Sequence, residues 1–225
     1  MNRLTVPLLL SISVTLWPAG CQAPAVNRPS QALEETIVDT TELPVVETTT
    51  FTLKLPTPTP DPQAAERARL QEVAAGLGNW GPAPDILSET WLNSAPVRLA
   101  DLRGKVVLVE FWTFGCINCI HVTPYLRAWH DEYHAAGLEI IGVHTPEFTW
   151  EHDPAGVQAA ATDLGVTWPI AIDNNKATWH AYSNRFWPAV YFIDRQGDLR
   201  HLAIGEGNYE RSAEIIRALL AEEAG

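Results

Sequence analysis

The chain has 225 residues and a formal net charge of −12, and 46% of its residues are hydrophobic. This length leaves room for one core domain of about 150 residues together with leader and linker segments. The acidic balance argues against a surface for nucleic acid or anionic membrane, because such surfaces present clustered Lys and Arg. The three cysteines are too few for a disulfide scaffold, and proteins or small molecules are the expected partners.

Residues 1–21 have the outline of an export signal. Asn2 and Arg3 precede a hydrophobic stretch, Leu4–Trp17, and small residues come just before Cys21. At roughly 14 residues the stretch is short for a membrane span, which needs about 20. The sequence around Cys21 resembles the lipobox of bacterial lipoproteins, which implies that this cysteine becomes a lipid-modified first residue. Ordinary cleavage and an uncleaved anchor are the alternatives, and all three place the mature chain outside the cytoplasm.

Residues 22–79 are predicted to form a tether that contains one short helix. The composition up to about Pro62 is rich in Thr and Pro and ends in LPTPTPDP, which favours an extended chain that reaches away from a membrane. From Asp61 the run DPQAAERARLQEVAAGLG has Asp at an N-cap position, Pro at the first helical position and Gly after the last turn. This order predicts a helix.

The core domain is predicted over residues 80–225 as alternating strands and helices. The apolar runs GKVVLVEFW and GLEIIGVHT are typical of strands buried in a mixed or parallel sheet. Between them, apolar residues at helical spacing predict a helix from Cys119 to Ala136 that Gly137 ends. Later elements are expected as a helix over Pro154–Leu164, a strand over Pro169–Ile172, a short helix over Lys176–Tyr182, a hairpin in which AVYFID and LRHLAIG flank RQGD, and a helix over Tyr209–Ala221.

Cys116 and Cys119 form a CxxC pair where the first buried strand gives way to the long helix. A helix N-terminus beside Cys116 presents free amide groups and the positive end of the helix dipole, and both favour a thiolate. Cys116 is therefore the predicted nucleophile. Cys119, one turn later and deeper in the domain, is predicted to attack a mixed disulfide on Cys116 and release the partner.

Several motifs between about residues 83 and 224 agree with one another. They are ADLRGKVVLVEFW, WTFGCINC, Pro124 five residues beyond Cys119, GVHTPEF, and FWPAVYFID followed by GEGNY. On these motifs the chain resembles thioredoxin-fold proteins of the TlpA/ResA-like group, and in particular the periplasmic thioredoxin-like module of DipZ proteins. The resemblance implies an α/β fold with a central mixed sheet flanked by helices. It also implies a family-type insertion after the strand that follows the active-site helix.

The resemblance further implies dithiol–disulfide exchange with the thiols and disulfides of partner proteins, without a cofactor or metal. Ile117-Asn118 replaces the Gly-Pro of thioredoxins, and because this dipeptide helps set redox poise, the direction of electron flow stays open. Cytochrome c maturation is one family precedent. We expect a monomer, attached to a membrane through its lipid anchor and recharged by a membrane electron carrier.

Two further residues are candidates on the same resemblance. Glu110 lies inside an apolar run, where burial raises the pKa of a carboxyl group. Thioredoxins carry an acidic residue at the matching place, which implies that Glu110 accepts the proton of Cys119. The alternative is that Glu110 lies on an edge strand and faces solvent. Pro188 matches a proline that is cis and faces the cysteine pair in the resembled fold. In that fold the backbone of the preceding residue, which is Trp187 in this chain, hydrogen-bonds an extended peptide. A Trp187 side chain that only packs in the core is the alternative.

The remaining candidates flank the cysteines. Trp112, at the end of the first buried strand, resembles the tryptophan before many thioredoxin sites and is expected to shield the thiols. Trp112 and Phe114 are both candidates for the substrate surface, with a core role as the alternative. His121 lies about 160–200° around the helix from either cysteine, so we expect a solvated surface residue and not a metal ligand. His144 comes at the end of the next strand, in GVHTPEF; we expect a hydrogen-bonded loop residue, with a position near the site as the alternative.

Two alternative functions stay open. A copper- or zinc-binding metallochaperone on the same fold would need a third soft or imidazole ligand near CINC. A peroxidase of the peroxiredoxin type is suggested by the match of TFGC to a T-x-x-C site. That family places a proline four residues before the threonine, where this chain has Val109.

Overall fold

The computed structural model describes residues 61–223, and residues 1–60 and 224–225 lie outside the described part. The predicted export signal, Cys21 and the tether up to residue 60 therefore fall outside the described residues. Within residues 61–223, no helix is both long enough and apolar enough to cross a membrane.

Helices and strands alternate along the described chain. They are α1 (Pro62–Ala75), β1 (Trp91–Leu92), β2 (Val106–Trp112), α2 (Ile117–Tyr133), β3 (Leu138–His144), α3 (Pro154–Asp163), β4 (Ile170–Ile172), α4 (Ala177–Ala181), β5 (Ala189–Ile193), β6 (Leu199–Ile204) and α5 (Tyr209–Ala221). Short 3₁₀ helices lie at Leu99–Leu102, His134–Ala136 and Thr149–His152. The elements predicted after Pro154 are confirmed to within about one residue at each end, inside the usual uncertainty of helix and strand boundaries.

The six strands form one mixed sheet in the order β1-β4-β3-β2-β5-β6. Strand β2 runs parallel to β3 and antiparallel to β5, and all of its residues are buried. Its apolar run is continuous because both faces of the sheet are covered. Leu108 and Trp112 belong to the core that α2 and α5 cover, whereas Val107 and Phe111 belong to the core on the opposite face. The predicted central mixed sheet flanked by helices is confirmed.

The active-site helix begins earlier than the apolar spacing predicted. Helix α2 starts at Ile117 with Cys116 as its N-cap, two residues before the predicted start at Cys119. The residues of this first turn that precede Cys119 are exposed, so they carry no part of the apolar period. A 3₁₀ turn continues α2 to Ala136, and Gly137 follows at φ 103°, a left-handed conformation that favours glycine. The predicted end of the helix is therefore confirmed.

The predicted first helix is present and packs on the rest of the fold. Leu70 and Ala74 of α1 form a small apolar cluster with Ala218 of α5. Arg200 of β6 donates to the Ala74 carbonyl at 2.9 Å and forms an ion pair with Asp194 at 2.9 Å. Helix α1 is thus attached by both apolar and polar contacts. The boundary between tether and domain at residue 80 stays a prediction.

Candidate active site

Both cysteines of the CxxC pair lie at the start of α2 as free thiols. The Sγ atom of Cys116 accepts a hydrogen bond from the Cys119 backbone N–H at 3.3 Å. The Cys116 N–H donates to the Thr113 carbonyl at 3.2 Å, which closes the turn between β2 and α2. Cys116 is partly exposed, whereas Cys119 is fully buried. A partner protein can therefore reach the first thiol directly and the second only through the first.

Cys119 is held in its protonated form. Burial raises the pKa of the Cys119 thiol far above its ordinary value, and its hydrogen bond with Cys116 and the nearby charge of Glu110 act in the same direction. A backbone hydrogen bond with Thr113 opposes the shift. Because the thiolate is the nucleophile in thiol chemistry, Cys119 needs a base in order to react.

Glu110 is a buried carboxyl group on the central strand. It pairs with Gly142 of β3 on one side and with Val190 of β5 on the other, so it does not lie on an edge strand. Alternation along β2 places it on the same face as Leu108 and Trp112, the face that α2 covers. It is 3% exposed, and its Oε1 has no hydrogen-bond partner among the described residues.

Burial raises the pKa of Glu110 to about 8. This agrees with the raised pKa predicted from the position of Glu110 inside an apolar run. The indole N–H groups of Trp112 and Trp168 are also buried and without partners within residues 61–223. Glu110 is thus shielded from water and its Oε1 makes no hydrogen bond, and this burial disfavours the charged form of its carboxyl group.

The Trp187–Pro188 peptide bond is cis, as predicted. The next residue, Ala189, pairs with Phe111 in the antiparallel ladder of β2 and β5. Pro188 therefore lies at the end of the sheet from which β2 leads to the cysteines. The Trp187 indole N–H donates to the Thr145 carbonyl at 3.0 Å, and the ring packs partly buried against both cores.

Trp112 and Phe114 both contact His144, the last residue of β3. Trp112 is 2% exposed and meets the imidazole ring edge-on, with ring centroids 5.2 Å apart. Phe114 is partly exposed and stacks on the same ring, with centroids 5.5 Å apart. Trp112 lies beneath the site and has almost no surface to offer a partner, whereas Phe114 has such a surface.

His144 is fully buried and not in a loop. Its Nε2 lies 3.3 Å from Thr113 Oγ1, and its Nδ1 has no partner in the described part of the chain. Burial lowers the pKa of His144 to about 4, and the neighbouring Glu151 carboxylate opposes that shift. The predicted hydrogen bond of His144 is present, but its place is the end of a strand beside the active-site turn.

His121 lies on the exposed side of α2, as predicted. Its Nδ1 is 3.0 Å from a carboxyl oxygen of Glu206, in the loop that follows β6. Between residues 61 and 223, no group of three or more His, Cys, Asp or Glu side chains is arranged to hold a metal ion.

A second buried carboxylate near the cysteines, that of Glu151, was not predicted from the sequence. Glu151 lies in the 3₁₀ helix after β3, and its Oε1 accepts the Gly115 N–H at 3.2 Å. An acid within the aromatic run EFTWEH was the one available hint. The contact itself joins residues 36 positions apart, which no local pattern reports.

A dithiol at the start of a helix that follows a central strand, with a cis-proline at the same end of the sheet, is the arrangement of thioredoxin-fold thiol–disulfide oxidoreductases. Comparison with known proteins supports this class. The Redoxin family model matches residues 80–219. Protein DipZ of Mycobacterium tuberculosis (strain CDC 1551 / Oshkosh) is 46% identical over 162 residues, which cover 70% of this chain and 23% of DipZ.

Thiol-disulfide oxidoreductase YkuV of Bacillus subtilis (strain 168) is 30% identical over 142 residues, which cover 63% of this chain and 95% of YkuV. The crystal structure of the thioredoxin-like superfamily protein SPOA0173 matches with a TM-score of 0.61 and 28% identity. That match covers 64% of this chain and 99% of the other.

The chain therefore belongs to the Redoxin family, in its TlpA/ResA-like thioredoxin group. The predicted family and thioredoxin-like fold are confirmed. The chain spans about a quarter of the length of DipZ. The family-type insertion after β3 stays a prediction.

Proposed function

We propose that this chain acts outside the cytoplasm as a reductant of partner-protein disulfides, with Cys116 as the attacking thiol and Cys119 as the resolving thiol. One observation carries the proposal. The accessible Cys116 sulfur lies at the N-terminus of α2, 3.3 Å from the backbone N–H of the buried Cys119. This difference in access supports attack on the partner by Cys116 and release of the partner by Cys119.

The reaction is a pair of thiol–disulfide exchanges. The Cys116 thiolate attacks one sulfur of the partner disulfide, that S–S bond breaks, and the other partner sulfur leaves as a thiolate. Cys119 then loses its proton and attacks the Cys116 sulfur, which forms the Cys116–Cys119 disulfide and expels the second partner thiolate. The partner gains two electrons and, once its thiolates are protonated, two protons, and the chain loses the same.

Glu110 is the proposed acceptor of the Cys119 proton, directly or through water. The two groups are buried on the same face of β2, and the charge of Glu110 acts on the Cys119 thiol. A carboxylate whose pKa is about 8 is a stronger base than an ordinary one, so it suits proton transfer near neutral pH.

The proposed surface for the partner lies around Pro188. Strand β5 begins just after this residue, beside the end of β2, which supports the backbone of Trp187 as the proposed hydrogen-bond partner of an extended peptide. Phe114 and Trp187 are partly exposed there and are the proposed side-chain contacts. Trp112 is buried, and its proposed role is to shield the thiols.

The proposed direction of electron flow rests on the state of Cys119. A strongly oxidising dithiol is one whose reduced form is stabilised. Here burial keeps Cys119 as a neutral thiol, so no thiolate at Cys119 adds stability to the reduced form, and the proposed pair is therefore a reductant.

The proposed location rests on the leader and tether sequences. Residues 1–21 read as an export signal, and Cys21 is the proposed lipid anchor. An extended tether would let the domain meet both a membrane electron carrier, which would return two electrons to the dithiol, and its protein substrates. Cytochrome c precursors with oxidised thiols are among the proposed substrates.

Replacement of the resolving thiol tests the proposal. The Cys119→Ser variant should stop after the first exchange and accumulate a mixed disulfide between Cys116 and a model protein disulfide. Non-reducing electrophoresis and mass spectrometry would measure the adduct. Cys116→Ser is the matched control and should form none. Equal adduct formation by the two variants, or no adduct with Cys119→Ser, would contradict the assigned roles.

A further inference from the structure

The strongest unassigned feature near the cysteines is the buried Glu151 carboxylate. Glu151 is fully buried, and its two oxygens accept three backbone N–H groups. Oε2 accepts those of Glu147 at 2.6 Å and Phe148 at 2.9 Å, and Oε1 accepts that of Gly115 at 3.2 Å. The first two bonds lie within the loop after β3, whereas the third reaches the residue just before Cys116.

The contact at Gly115 is close enough that a larger residue would displace its neighbours. A Cβ atom at this position would overlap Oε1 of Glu151 and lie 2.6 Å from a ring carbon of Trp150. The backbone of the active-site turn is therefore packed directly on the carboxylate. A charge-assisted hydrogen bond of this kind is stronger than one between neutral groups.

Gly115 directly precedes Cys116 in the active-site turn. Residues 113–116 form the turn between β2 and α2, closed by the bond from the Cys116 N–H to Thr113. Glu151 supplies a bond to this turn from a separate loop, and so limits movement of the peptide that enters Cys116. A disulfide forms readily only when the two thiols are held in a suitable geometry.

We propose that Glu151 is a positioning residue for Cys116, whose carboxylate fixes the Gly115 backbone and thereby favours closure of the Cys116–Cys119 disulfide. The proposal rests on the proposed function, since it assumes that this disulfide forms. Glu151 itself touches neither sulfur and takes no part in the exchange.

The test compares three variants in the full chain, each also carrying Cys21→Ser so that two thiols remain. Glu151→Gln keeps the shape of the side chain, but its amide group cannot accept all three N–H groups. Gly115→Ala keeps Glu151 but displaces its carboxylate from the turn. The oxidised fraction of Cys116 and Cys119 is measured in graded glutathione buffers by alkylation and mass spectrometry, together with thermal unfolding.

Asp194→Asn is the matched control. Asp194 is 3% exposed and accepts the N–H groups of Gln196 and Asp198 in the turn between β5 and β6. Because β5 runs antiparallel to β2, this turn lies at the opposite end of the sheet from Cys116. The control therefore removes a buried carboxylate of similar role without touching the active-site turn.

We expect Glu151→Gln and Gly115→Ala each to lower the equilibrium constant for disulfide formation by about fivefold, as for strongly coupled neighbouring groups. Asp194→Asn should lower the unfolding temperature and leave that equilibrium unchanged. An unchanged equilibrium in both test variants, or an equal shift in the control, would overturn the positioning role. If Glu151→Gln does not fold, Gly115→Ala decides alone. If the Cys21→Ser chain itself forms no Cys116–Cys119 disulfide, the proposed function fails instead.

Discussion

Glu110 and Cys119 are buried on the same side of β2, and each is disfavoured in its charged form by that burial. A proton that leaves the thiol therefore needs an acceptor already inside the protein. Glu110 matches this need because its pKa is raised to about 8, so its ionised form is a stronger base than an ordinary carboxylate.

Replacement of Glu110 with Gln should slow the resolving step and spare the first attack. We expect the rate of the second step to fall by about a hundredfold, the lower range for loss of a general base. In the parent chain that rate should rise as pH increases through about 8, as Glu110 ionises, and in the variant this rise should disappear. Stopped-flow measurement of mixed-disulfide formation and decay would separate the steps. Equal slowing of both would contradict the role.

The same variant has a second readout in stability. The pKa of Glu110 is raised in the folded state, so its contribution to stability is present below about pH 4.5 and is lost as pH rises through about 8. Glu110→Gln should therefore flatten the fall in the free energy of unfolding across that window. Urea unfolding at several pH values measures it, and an unaltered slope would mean that Glu110 is not the titrating group.

At the scale of elements, α1 is the segment whose attachment is least expected from the sequence. It follows a Pro-rich segment, yet Leu70 and Ala74 are buried against α5 and Arg200 bonds its last turn. The Asp61 side chain accepts the Gln63 N–H, and this N-cap bond defines the start of the helix. The helix thus belongs to the folded unit that carries the site.

Loss of the α1 contact should destabilise the fold without changing the cysteines. Leu70→Ala should lower the free energy of unfolding by about 2 kcal/mol, the low end for a buried leucine, because Leu70 lies at the rim of the structure. Leu87→Ala is the control: Leu87 is 52% exposed, and its loss should cost less than about 0.5 kcal/mol. Urea unfolding measures both variants. Equal effects would show that α1 contributes no packing.

At the scale of the whole molecule, the chemistry is concentrated at one end of the sheet. The end of β2, the N-terminus of α2 and the start of β5 meet there, and the loop after β3 adds Glu151. The opposite end carries the hairpin turn with Asp194 and the contact of Arg200 with α1. Substitutions that stabilise the second region should therefore leave exchange chemistry unchanged.

Much of this arrangement could be predicted from the sequence, because its signals are local. Continuous apolar runs predicted β2 and β3, and Asp61, Pro62 and Gly76 predicted the ends of α1. Strand β1 was missed, since two residues carry no periodicity. The start of α2 was predicted from the CxxC pair and not from the apolar pattern, because the exposed residues of its first turn lie outside that pattern.

The residues of the candidate site also divide into those predicted from local sequence or from the family resemblance and those set by long-range contacts. The CxxC pair and the buried position of Glu110 follow from residues close together in sequence, and the cis form of Pro188 was predicted from the family resemblance. The contact of Glu151 with Gly115 depends on how the loop after β3 folds back over the active-site turn. Long-range contacts of this kind are set by tertiary packing and leave no mark in local spacing.

The redox equilibrium of Cys116 and Cys119 tests the central proposal most directly. The full chain with Cys21→Ser would be equilibrated in graded dithiol buffers and the two thiols quantified by alkylation and mass spectrometry. We predict that both thiols oxidise together in one two-electron transition, with a potential near or below about −270 mV, the range of a reductant. A potential approaching about −120 mV would mark a disulfide donor and contradict the proposed direction. Absence of a Cys116–Cys119 disulfide at every buffer redox potential would contradict the exchange mechanism itself.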